Sequence, residues 1–205
     1  MEGARKGLAK ASGLLFLVPL LQVAAWPKFL LPAPDLYVAD YLSRVAVIGA
    51  ALAGGVLALP GPRREWSWLK VAVAAPAFLV LLLALSEVQQ VLPAPWPWLR
   101  QNLYPYIESF DLWLFDLTIG LVLIAVAEEL AFRKVFHGLW QDRGWPALSL
   151  VSSVAFGLLH APQGALAVVS TAFAGVLLMK AYRASGTLWV PIGLHYAANL
   201  VVFAN

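Results

Sequence analysis

The chain has 205 residues, of which 61% are hydrophobic and only 12% charged, about half the charged share of an ordinary soluble domain. That balance excludes a soluble globular protein and predicts an all-α polytopic membrane bundle of about seven spans (six to eight), forming one integral membrane domain over residues 1–205. The net charge of +3 is carried by short clusters, which bears on membrane orientation and gives no reason to expect nucleic acid; the lack of cysteine excludes disulfides, thiolate metal sites and cysteine nucleophiles.

In chain order, Arg5, Lys6 and Lys10 precede an uncharged stretch from Ala11 to Pro27. Pro19 and Gln22 interrupt its apolar run, and the chain beyond is equally membrane-like, so a retained first helix is expected rather than a cleaved signal peptide. Further uncharged runs follow at Val45 to Pro62, Val71 to Ser86, Gly144 to Met179 and Ala184 to Asn205, with another apolar segment around Leu112 to Ala127. As one helix, the run from Gly144 to Met179 would measure about 54 Å against a hydrocarbon core of about 30 Å. It must turn back, and His160-Ala161-Pro162-Gln163-Gly164 is the expected hinge. The candidate spans are roughly 11–30, 42–60, 68–86, 109–132, 146–161, 164–182 and 187–204.

Basic residues cluster in alternate loops: Arg5, Lys6 and Lys10, then Arg63, Arg64 and Lys70, then Arg133, Lys134 and Arg143, then Lys180 and Arg183. This alternation predicts a cytoplasmic N-terminus. Between Leu92 and Phe110, Trp96, Trp98, Tyr104 and Tyr106 with Pro93, Pro95 and Pro97 suggest an interfacial loop or short surface helix. The Pro and Gly breaks do not recur in matching halves, as they would in many transporters.

Within the apolar second half lie Glu128, Glu129, Arg133, His160, His195 and Asn199. Ionisable groups at membrane depth are costly unless they are paired or face a protein cavity. Glu129 and Arg133, four apart on a helix, are expected to form an ion pair, whereas the i+4 neighbour of Glu128 is Phe132, which leaves its carboxylate available. His160 follows Phe156 by one turn on another span, and His195 shares a helix face with Asn199 on a third. Such residues suit either one shared pocket or separate structural roles, as a hydrogen-bonded core histidine or an interfacial charge cluster. His137, beside the basic cluster, suggests no function.

The ordered motifs Glu128-Glu129-Leu130-Ala131-Phe132-Arg133, Phe156-Gly157-Leu158-Leu159-His160 and His195-Tyr196-Ala197-Ala198-Asn199 resemble those of the CAAX-protease and bacteriocin-processing family of intramembrane endopeptidases. The resemblance covers about 109–204 and implies proteolysis within the bilayer without a cofactor. It makes Glu128 the base that activates water, His160 its partner in orienting that water, and His195 with Asn199 the oxyanion donors, with Glu129, Arg133 and Phe156 in support. The implied substrate is a membrane-associated or lipidated protein or peptide cut near its C-terminus. The implied setting is the inner or plasma membrane of a prokaryote, the chain being compact.

A competing reading of the same residues takes Glu128, His160 and His195 as a zinc set with water in the fourth position, although the soluble signature H-E-x-x-H is absent. A non-catalytic membrane scaffold is the remaining alternative. Depth poses a difficulty for any shared pocket: Glu128 lies about 25 Å along its span from Asp111, and His160 about 21 Å along its own from the opposite entry near Pro146.

Overall fold

The computed structural model describes residues 22–33, 35–91, 96–99 and 104–204. The basic cluster at Arg5, Lys6 and Lys10 lies outside them, as does most of the expected first span. The described chain is all-helical. Its six principal helices are α1 (Asp35–Ala53), α2 (Trp68–Val91), α3 (Phe110–Arg143), α4 (Trp145–Leu159), α5 (Ala165–Ser185) and α6 (Trp189–Phe203).

The expectation of seven spans is not met. Four helices among the described residues are long and apolar enough to cross a membrane: α1, α2 over Trp68–Glu87, α3 and α5. Two segments expected to span, α4 and α6, have 15 residues each, about 23 Å of helix against about 30 Å of hydrocarbon. The four long apolar helices make this an integral membrane protein, and the two short ones are packed among them.

The polarity of α1 is inverted relative to that of a helix in water. Its buried stripe runs through Leu36, Tyr37, Asp40, Tyr41, Arg44, Val47 and Ala51, whereas Val38, Leu42, Val45 and Leu52 face outward. Lipid rewards an apolar outer face, so the charges of α1 point into the bundle. Helix α2 is apolar on all sides; it packs on α5 and α6 and leaves Leu69, Val73, Val80 and Leu81 exposed.

Helix α3 is 34 residues long, and wider π turns interrupt it at Asp116–Gly120 and Leu130–Val135. Such turns leave carbonyls outside the regular ladder, and other helices supply donors here. Tyr196 Oη donates to the Leu117 carbonyl at 3.1 Å, and Ser152 Oγ donates to that of Phe132. Gly144, at φ +81°, turns the chain into α4. Helices α4 and α5 then form a tight hairpin through the expected hinge, where Gly164 stands at φ +100°. A Cβ on Gly157 would lie 2.5 Å from the Val168 carbonyl oxygen, and one on Gly175 would lie 3.0 Å from Ser153 Cα. Small residues let the two backbones approach this closely.

The 54–67 connection packs against the ends of α3 and α5. Lys134 Nζ donates to the Leu59 carbonyl at 2.6 Å, the Trp66 amide to that of Ala184 at 3.0 Å, and Arg183 pairs with Glu65 while its guanidinium lies 4.6 Å from the Trp145 ring. The basic clusters of three loops thereby gather at one end of the bundle. His137 belongs to this end as well, with Nδ1 3.2 Å from the Pro60 carbonyl.

Candidate active site

Glu128 and Glu129 end a regular stretch of α3 and immediately precede its second π turn. Both are buried, but their partners differ. Glu129 Oε1 accepts from His195 Nδ1 at 2.9 Å and from Arg133 Nη2 at 3.4 Å. Arg133 Nε lies 3.0 Å from Glu129 Oε2, at an angle outside hydrogen-bonding range, so that contact is one of charge. The Arg133 guanidinium is fully buried, its centre 4.6 Å from that of the Phe156 ring.

Phe156 connects the remaining parts. Its carbonyl lies 3.0 Å from His160 Nδ1, and its ring meets those of His160 and His195 edge-on at centroid distances of 5.1 and 6.0 Å. A carbonyl can only accept, so His160 Nδ1 carries a proton and Nε2 keeps a lone pair in the neutral ring. The same argument puts a proton on Nδ1 of His195, opposite the Glu129 carboxylate. Asn199 lies one turn beyond His195 and is half-buried.

The Glu128 carboxylate is not free on both sides, as its spacing from Phe132 suggested. Oε1 accepts from Arg44 Nη1 at 2.7 Å; Oε2 is buried without a hydrogen bond among the described residues and lies 3.7 Å from His195 Nε2. Arg44 comes from α1, and its Nε donates to Asp40 Oδ1 at 3.2 Å. Lys28, on the short helical turn Trp26–Leu30, donates to the same oxygen. Burial draws the Lys28 ammonium below the usual lysine range, and Asp40 opposes that shift. Lys28, Arg44 and Arg133 balance Asp40, Glu128 and Glu129, so six buried charges cancel, as a low-dielectric interior requires.

Arg44, Asp40 and Lys28 were not among the expected site residues. The signal was present: Asp40 and Arg44 are four apart, like Glu129 and Arg133, and Arg44 directly precedes an uncharged run.

The depth difficulty is resolved by the length of α3. At about 51 Å this helix exceeds the hydrocarbon thickness, so its start near Asp111 is a poor reference. Glu128 and His160 are each 16 residues from Gly144, one before it and one after, and therefore lie at similar depth below a shared turn.

The proposed zinc set does not fit. Among the described residues no three His, Cys, Asp or Glu side chains converge to hold a metal ion, and a guanidinium already occupies Oε1 of Glu128. The cluster holds acceptors, donors and compensated charge, which suits acid–base chemistry on a bound water.

Residues 110–201 match the family model described as Type II CAAX prenyl endopeptidase Rce1-like. No match was found among curated proteins or solved structures.

Proposed function

From the match of residues 110–201 to the Type II CAAX prenyl endopeptidase Rce1-like model, we propose that the chain is an intramembrane endopeptidase of the glutamate type. The observation that carries this reading is the second oxygen of Glu128, which is buried, free of hydrogen bonds among the described residues and 3.7 Å from His195 Nε2. A carboxylate held this way can take a proton from water as the water attacks a peptide carbonyl, and return it to the leaving amine. Neutral His160, with Nδ1 committed to Phe156, offers its Nε2 lone pair to orient the water. His195, held by Glu129 at Nδ1 and with Nε2 facing the Glu128 oxygen, serves with Asn199 to stabilise the developing oxyanion. Glu129, Arg133 and Phe156 hold these groups in place.

The substrate in this reading is a membrane-associated or lipidated protein or peptide, cleaved near its C-terminus after entering from the bilayer. The end of the bundle carrying Arg63, Arg64, Lys134 and Arg183 faces the cytoplasm, since basic loops are retained there. Buried ion pairs would equally serve a non-catalytic scaffold, and the test must separate the two readings.

The wild type and Glu128→Gln, purified in detergent, would be given hydrophobic C-terminal peptides with and without a prenyl group, and the products identified by mass spectrometry with and without a zinc chelator. Cleavage that is lost in the variant and indifferent to chelation is expected. Cleavage retained by Glu128→Gln would overturn the assignment of the base, and a Glu128→Gln chain that preserves every cellular effect would favour the scaffold.

A further inference from the structure

Resting on that reading, we propose that Arg44 is a positioning residue for Glu128: its guanidinium spans Asp40 Oδ1 and Glu128 Oε1 and so turns the other oxygen of Glu128 toward His195 and the reacting water. The residue lies outside the 110–201 segment that carries the family match, so α1 completes a site whose other members come from α3, the end of α4 and α6.

A glutamate carboxylate turns easily about its last torsion, which is broad and twofold. Either oxygen of Glu128 could face the histidines unless something distinguishes them, and Arg44 Nη1 at 2.7 Å from Oε1 does so. Arg44 is itself a long side chain that needs fixing. Its Nε donates to Asp40 Oδ1 at 3.2 Å, one turn earlier on the same helix, and Lys28 pairs with that same oxygen from the preceding turn. Each link is buried, so the chain Lys28, Asp40, Arg44, Glu128 is shielded from competing water. The planar fork of arginine reaches two carboxylates at once through Nε and Nη1, which the single ammonium of lysine cannot do in the same geometry. A simple charge-neutralising role would be satisfied by lysine, whereas a positioning role would not, and the test uses that difference.

Three single variants of the full chain, Arg44→Gln, Arg44→Lys and Glu128→Gln, and the double variant Arg44→Gln with Glu128→Gln would be melted in detergent; kcat and KM would be measured separately for those that cleave. Misplacement of the base by about 1 Å predicts a loss of about 10²-fold in kcat for Arg44→Gln, with KM within about twofold of wild type. Arg44→Lys should recover the melting temperature but keep about a tenth of kcat or less. The melts of Arg44→Gln and Glu128→Gln should be non-additive, because the double variant no longer strands a charge. The proposal is overturned if Arg44→Gln keeps kcat within about threefold, if Arg44→Lys restores both melt and kcat, or if the melts add. Should the wild type cleave no peptide, the endopeptidase reading itself fails. A coupled melt in that case reduces Arg44 to a structural partner of Glu128, and the positioning role falls with the reaction.

Discussion

Glu128 and Glu129 are adjacent in the chain and have opposite surroundings. Glu129 has Arg133 and His195 as partners, whereas Glu128 shares one oxygen with Arg44 and leaves the other without a hydrogen bond among the described residues. Glu128→Gln should therefore abolish cleavage and cost little stability, since the amide stays polar and Arg44 keeps Asp40. Arg133→Gln should cost about 3–5 kcal/mol, because it leaves buried Glu129 with the His195 hydrogen bond but without its guanidinium counter-charge and removes the cation over Phe156. Thermal melts alongside cleavage assays would check this division; equal destabilisation by both would refute it. One turn beyond His195, Asn199→Ala should slow turnover by about 10²- to 10³-fold if its amide donates to the oxyanion. A loss of tenfold or less, in a folded protein, would remove that role.

The helices bring these side chains together through departures from regular geometry. The second π turn of α3 begins immediately after Glu129, and the Phe132 carbonyl within it is bonded by Ser152 of α4. That contact ties the helix bearing the carboxylates to the one that ends at His160. The α4–α5 hairpin depends in turn on Gly157, one turn before His160, whose position opposite Val168 has no room for a methyl group. Gly157→Ala is expected to cost about 1–3 kcal/mol through overpacking. It should also lower activity more than that loss of stability explains, because the shift propagates to His160. A melt with a matched cleavage assay below the transition would measure both. Wild-type turnover in the folded variant would show that hairpin spacing does not set the His160 position.

For the whole molecule, the gathering of basic loops at one end is a statement about topology. The chain contains no cysteine, so single cysteines can be introduced without background. Tyr106→Cys, at a position 86% exposed, should react with an impermeant maleimide from outside intact cells. Arg63→Cys should react only after the membrane is opened. Labelling of both from the same side would overturn the orientation. The same view of the whole explains the number of spans. Apolar composition marks segments that avoid water, and it does so equally for a helix facing lipid and for one shielded by its neighbours. Helices α4 and α6 combine the two: Ser152, Phe156, Leu194 and His195 are buried against the bundle while Leu150, Leu158 and Trp189 stay exposed, and at 15 residues each they fall short of a full crossing.

The sequence by itself determined the membrane class, the all-helical architecture, the hinge near His160 and the motifs within residues 110–201, the segment that matches the family model. Each of these is local: mean apolarity, a proline-glycine break, and motifs of five or six residues on single helices. The number of helices among the described residues long enough to cross, the partner of Glu128 and the common depth of the site residues were decided only by the tertiary structure. Arg44 and Glu128 are 84 residues apart, and no periodicity links them; they meet because lipid drives the charged stripe of α1 inward against the one helix whose carboxylates need a counter-charge. Depth likewise depends on where the long α3 is anchored, and that is set by contacts of Lys134 and Arg183 with the 54–67 connection and not by the length of any apolar run.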